Sequence, residues 1–138
     1  SIQYMITSGC TASTQYAYAE MLRLSCEGVI NFVEDTKAYA ERARRMKKIF
    51  CDNGFTITYP RDVTEEIGDG FFFSLSYPGM TGGELVSELI SYGVSSINLD
   101  TTGSLEHGVR ACTSRMRDEL YPVLEERMQM FHRDHPMF

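Results

Sequence analysis

Phe71-Phe72-Phe73-Ser74-Leu75-Ser76-Tyr77, followed by Pro78-Gly79 and then Thr81-Gly82-Gly83-Glu84, is the stretch that decides the fold class. Phe71, Phe73, Leu75 and Tyr77 alternate with Phe72, Ser74 and Ser76. A period of two puts one set of side chains on a core face and predicts a strand. Pro78-Gly79 breaks it. Thr81 and Glu84 then have the spacing of a capping box, in which hydroxyl and carboxylate each satisfy a backbone N–H of the other residue. The helix opened there turns Leu85, Val86, Leu89 and Ile90 toward a core and stops at Gly93.

The same elements continue on both sides. Val94 to Leu99 and Val109 to Thr113 read as strands, joined by a loop from Thr101 to the glycine Gly108. A last helix begins near Pro122, a residue suited to a first turn, and carries Leu124, Met128 and Phe131 inward. Upstream, Phe55 to Tyr59 is a short β-rich run closed by Pro60, and the polar segment Arg61 to Asp69 is expected to be a loop. Before it, Phe32, Thr36, Tyr39, Ala43, Met46 and Phe50 recur at spacings of four and three, one stripe of a long helix that Asn53-Gly54 terminates. Glu34, Lys37, Glu41, Arg42, Arg44, Arg45 and Lys48 make its solvated face, with Glu41 placed to pair with Arg45. Ser13 to Glu27 forms the first helix, with Ala17, Tyr18, Met21, Leu22 and Ser25 on one face and Gly28 as its stop. This order predicts an α+β layer: a small, largely antiparallel sheet covered by helices.

Composition narrows the class without naming a function. The 138 residues are enough for one buried core, and 43% hydrophobic with 23% charged residues is an ordinary globular profile. A net charge of -6 argues against nucleic acid as a partner. No apolar run approaches the roughly 18 residues of a membrane span, so no membrane partner is expected. Ser1-Ile2-Gln3-Tyr4 lacks the basic and apolar regions of a signal peptide. Cys10, Cys26, Cys51 and Cys112 are widely separated, which points to free thiols in a reducing, cytoplasmic setting rather than to a metal site. His132 and His135 are expected at a frayed, solvated helix end, with no metal bound.

Ordered motifs add what periodicity does not. Thr11-Ala12-Ser13-Thr14-Gln15-Tyr16-Ala17, then a long charged helix, then Asp69-Gly70-Phe71-Phe72-Phe73-Ser74-Leu75-Ser76-Tyr77, Gly93-Val94 and Gly108-Val109-Arg110-Ala111-Cys112-Thr113-Ser114 follow one another along the chain. This succession resembles the C-terminal, small-domain portion of class I/II (fold type I) pyridoxal-phosphate-dependent aminotransferases. The resemblance covers nearly the whole chain. It implies that residues 1–30 are the helical segment following the cofactor-lysine region and that residues 31–138 are the small domain.

It further implies that Arg110 is the substrate-binding arginine for the α-carboxylate. On a strand, Arg110, Cys112 and Ser114 share one face, and small polar neighbours leave room for a ligand. Ser8, Thr11 and Ser13 lie where the family reaches a cofactor phosphate across a dimer interface, although helix capping accounts for them equally well. Glu65, Glu66 and Asp69 are read as solubilising a loop, and the Phe71-Phe72-Phe73 run as sheet packing. The implied partners are a large cofactor-binding domain, an amino-acid or keto-acid substrate and a second copy in a homodimer.

Two departures from the family pattern stand out. Asn98-Leu99-Asp100-Thr101-Thr102-Gly103-Ser104 replaces the family's usual Pro-Gly segment near the substrate, and the three lysines, Lys37, Lys47 and Lys48, all lie on the charged helix. None has the setting of the Schiff-base lysine, so pyridoxal phosphate would belong to a longer parent and this chain would bind none covalently and be inactive alone. The alternative is a stand-alone α+β module that binds an amino acid or mediates dimerisation.

Overall fold

Three helices and a four-stranded antiparallel sheet share one core, and strand alternation decides which sheet face they cover. In the computed structural model, which describes residues 9–67 and 70–136 with the Asp35 side chain left aside, the elements run α1 (Ala12–Cys26), α2 (Phe32–Asp52), β1 (Thr56–Ile57), β2 (Arg61–Asp62), β3 (Glu65–Glu66), β4 (Phe72–Ser76), α3 (Gly82–Ser91), β5 (Ile97–Asn98), β6 (Val109–Cys112) and α4 (Tyr121–Asp134). Short 3₁₀ turns occupy Leu99–Thr102 and Asp118–Leu120. The main sheet has the order β1-β4-β6-β5, with every neighbouring pair antiparallel. The expected α+β class is therefore what the chain adopts.

The chain divides between Lys37 and Ala38 into two units. In the first, α1 buries none of its residues, so the expected apolar face with Tyr18, Met21 and Leu22 lies exposed. Thr11 sits at the N-cap of α1 without a side-chain capping bond, while the Gln15 side-chain amide donates to the Cys10 carbonyl at 2.8 Å. Ser8 lies outside the described residues.

In the second unit the helical stripe and the strand alternation meet. Ala43, Met46 and Phe50 of α2 pack with Phe73, Leu75 and Tyr77, with Leu85 and Leu89 of α3, with Val109 and Ala111, and with Leu124, Met128 and Phe131 of α4. Burying a large apolar side chain contributes roughly 1.5–3 kcal/mol, so this cluster dominates the stability of the unit. The strand residues among them all project from one face of the sheet. Thr36 of the predicted stripe is exposed, its hydroxyl bonded to the Val33 carbonyl at 3.0 Å.

Several expectations are corrected. Arg61 to Glu66 is a small hairpin and not a loop: β2 and β3 pair with Arg61 opposite Glu66 and Asp62 opposite Glu65. Every residue in it is exposed, so no apolar alternation marks it in the sequence. Asp69 falls outside the described residues. Ile90 is 59% exposed and Phe71 52% exposed, one at the outer edge of α3 and the other before β4 begins. The strand expected over Val94 to Leu99 shrinks to Ile97–Asn98, and Leu99 already turns into 3₁₀ geometry. Glu41 pairs with Arg44 at 2.7 Å, one residue nearer than expected, while Arg45 reaches Asp118 at 2.8 Å and stacks over Tyr121 at 3.6 Å. His132 and His135 are half-buried and not frayed: the Tyr77 hydroxyl lies 2.9 Å from His132 Nδ1 and donates to the His135 carbonyl at 2.6 Å.

The predicted capping box forms. Thr81 N–H donates to Glu84 Oε2 at 2.9 Å, the Thr81 hydroxyl donates to the same oxygen at 2.8 Å, and Glu84 N–H donates back to Thr81 Oγ1 at 3.4 Å. The Thr81 backbone N–H first, and then its hydroxyl, hold the Glu84 carboxyl below its ordinary value of 4.5. A depressed carboxylate contributes stability above that ordinary value and loses it as pH falls through the folded value. Thr81→Ala is expected to cost about 1 kcal/mol by loss of the cap. It should also flatten the decline of stability below pH 4.5, and thermal melts of both proteins across that range check both effects.

Candidate functional site

Arg110 occupies the middle of the sheet. Ser74 of β4 lies opposite it on one side and Ile97 of β5 on the other. Two close backbone approaches set this register. A Cβ on Gly82, at the start of α3, would lie 2.1 Å from Asn98 Oδ1 and 2.6 Å from the Gly108 carbonyl. A Cβ on Gly108, where φ is +149°, would lie 2.3 Å from the Leu75 carbonyl. Only glycine admits that conformation and that contact together, so β6 enters the sheet at a defined height.

Alternation then decides which way each side chain goes. Val109, Ala111 and Thr113 are buried on the helix-covered face, whereas Arg110 is half-buried and Cys112 and Ser114 are exposed on the other. The helices of this unit all pack against the first face, which leaves the second open. Hydroxyls populate it: Thr56 Oγ1 and Ser76 Oγ are 2.8 Å apart, and Cys112 Sγ and Ser114 Oγ 3.1 Å apart.

The guanidinium of Arg110 lies over the Phe72 ring, with Cζ 4.3 Å from its centroid. Nε is buried and has no hydrogen-bond partner, and among the described residues no carboxylate pairs with the side chain. The terminal nitrogens are not shut off in that way. A planar cation held by an aromatic face, with its fork unpaired, is arranged to take a carboxylate through two parallel charge-assisted bonds. The sequence expectation that Arg110, Cys112 and Ser114 share a face matches the geometry.

The other expected candidates stand apart from this site. Glu65 and Glu66 are exposed on the small hairpin. Lys48 pairs with Asp52 at 2.6 Å, Lys37 with Glu34 at 2.5 Å, and Lys47 lies over the Phe73 ring at 5.7 Å. All four cysteines are free and exposed, and among the described residues no three His, Cys, Asp or Glu side chains converge on a point that could hold a metal. Among those residues, too, no helix is long and apolar enough to cross a membrane. No protein-family model matches the chain, and no curated protein matches it.

Sequence reasoning missed two further features. One is a cavity of about 540 Å³ between α2, α4 and the sheet. The other is a hollow walled by Arg42, Arg115 and Arg117. The Arg115-Met116-Arg117 spacing directly after β6 was the available signal, but α2 supplies the third arginine from a distant part of the chain, which periodicity does not reveal.

Proposed function

We propose that the chain is the C-terminal small domain of a pyridoxal-phosphate-dependent aminotransferase, with Arg110 holding the substrate α-carboxylate. The observation that carries this reading is the unpaired guanidinium stacked on Phe72 at the centre of the open sheet face. The ordered motif resemblance supports it independently. In such an enzyme the cofactor serves as electron sink, and this chain's part is to bind and orient the substrate. Fixing the carboxylate at two points sets the direction of the Cα–H bond, and an open face flanked by hydroxyls gives the substrate a polar bed.

The residues present do not anchor the cofactor. None of the three lysines lies on the open face with Arg110: all three are on α2, and two of them are paired with acids one turn away. The cofactor lysine and a large cofactor-binding domain would be supplied by the remainder of a longer parent, which would act as a homodimer in the cytoplasm.

The test uses that parent. Purified with its cofactor and mixed with individual amino acids, it should show conversion of the cofactor absorbance with a subset of them. Absence of any response to all the amino acids would remove the reading. For the 138-residue chain by itself, incubation with pyridoxal phosphate followed by borohydride should leave no stoichiometric adduct at a single lysine, measured by peptide mass spectrometry. An amino-acid-binding module would use Arg110 in the same way, so carboxylate binding alone does not separate the two readings, and the cofactor response does.

A further inference from the structure

The second site starts in a cavity on the opposite face of β6 from Arg110 and extends to the end of that strand. The floor of the 540 Å³ cavity is Met46, Phe50, Leu89, Val109, Ala111 and Leu124, and its exposed rim includes Arg115, Leu120 and Val123. Its volume is within the range of roughly 300–1,000 Å³ typical of small-molecule pockets, and so is its make-up of apolar walls with a few polar groups. Ser96 also lines it, and the Ser96 hydroxyl is buried with no hydrogen-bond partner. A buried hydroxyl left unmatched is uncommon in a folded protein and marks a place where a polar ligand atom would be welcome.

A polar hollow adjoins the cavity across shared lining residues. Arg115 and Met116 line both, and the hollow, of about 440 Å³, is completed by Arg42, Ser114 and Arg117. The turn that presents Arg115 is held by the Met116 N–H on the Thr113 carbonyl at 3.1 Å. Arg42 Cζ lies 5.3 Å from the Tyr39 ring centroid, and Arg117 is 3.8 Å from Glu119. Among the described residues, neither Arg42 nor Arg115 has a carboxylate partner. Three guanidiniums at one hollow concentrate positive charge, offset in part by Glu119 beside Arg117, in a chain whose net charge is -6.

We propose that cavity and hollow form one site for a phosphate monoester with an apolar tail. The tail fills the cavity, and the dianionic head meets Arg42, Arg115 and Arg117. Arginine suits this task because its planar fork matches phosphate oxygens, and three of them oppose a double charge better than a single one. The proposal is independent of Arg110, and its failure would leave that assignment untouched.

The test is a titration of the ¹⁵N-labelled chain followed by amide shifts, with four probes kept below their micelle-forming concentrations: decyl phosphate, decanoate, decanol and inorganic phosphate. Decyl phosphate should bind saturably, with shifts clustered at Ser96, Ala111, Arg115 and Leu124. Decanol, lacking the head, and inorganic phosphate, lacking the tail, should each bind at least about tenfold more weakly. Arg115→Gln should weaken decyl phosphate by about tenfold, since it removes one charge-assisted contact. Leu120→Trp, at the rim, should weaken it by obstructing the tail. Both positions are exposed, so both variants should keep the fold, which the undisturbed amide spectrum verifies. No saturable shifts, equal binding of inorganic phosphate or of decanol, or unchanged affinity in Arg115→Gln would overturn the site. Decanoate binding as tightly as decyl phosphate would overturn the phosphate assignment.

Discussion

On the proposed aminotransferase reading, Arg110→Ala in the parent enzyme is expected to lower kcat/KM by at least about ten- to a hundredfold. A hydrogen bond to a charged group contributes roughly 1.5–3 kcal/mol, and about 1.4 kcal/mol corresponds to a factor of ten. If the clamp acts equally on substrate and transition state, KM rises and kcat holds; if it aligns the Cα–H bond, kcat falls too. Arg110→Lys should also be poor, because an ammonium neither reproduces the fork nor spreads over the Phe72 face in the same way. On that same reading the cofactor absorbance should survive both changes, since the proposal places the cofactor lysine outside this chain. Steady-state kinetics against several amino acids check this, and an unchanged kcat/KM in Arg110→Ala would reduce Arg110 to a structural residue.

Phe131→Ala should be among the most damaging single substitutions in the core. The ring is 0% exposed and meets Phe55, Tyr77, Tyr92 and His135 at centroid distances of 5.3, 5.1, 5.3 and 4.5 Å. Truncating a buried phenylalanine costs about 3–5 kcal/mol, against a total of roughly 5–15 kcal/mol for a typical domain. The loss here should lie near the top of that span, because Phe131 also braces the Tyr77 hydroxyl that holds the last turn of α4. A drop in melting temperature of about 10–20 °C follows from the usual scaling for a chain of this size. Leu105→Ala is the matched control: Leu105 is 98% exposed, and its loss should be nearly silent. Calorimetry of the parent chain and both variants decides it.

The sequence showed the fold best where one face of an element is buried. The alternation through Phe73, Leu75 and Tyr77 and the stripe through Ala43, Met46 and Phe50 were readable because burial enforces a period. The Arg61 to Glu66 hairpin, exposed on all sides, imposes no period and was invisible. The same holds for pairing partners. Glu41 had Arg44 and Arg45 three and four residues on, and Arg45 was drawn off by Asp118 and Tyr121 across the fold. His132 and His135 looked solvated because their partner, Tyr77, is more than fifty residues away. At the candidate site, the face carrying Arg110 was legible from strand geometry, while its stacking on Phe72 depended on a register the sequence does not state.

The pairing of Ser74 with Arg110 has a consequence for how the chain is made. During synthesis β4 emerges well before β6, and until then its only neighbour is the two-residue β1. Through that interval one full edge of β4 is unpaired, and Phe73, Leu75 and Tyr77 have only α2, Phe55 and α3 to pack against, without β6 and α4. Such an edge is a template for pairing with another chain. A ribosome-bound intermediate therefore carries an open strand edge that the finished fold does not, and any product ending before Val109 would keep that edge unpaired.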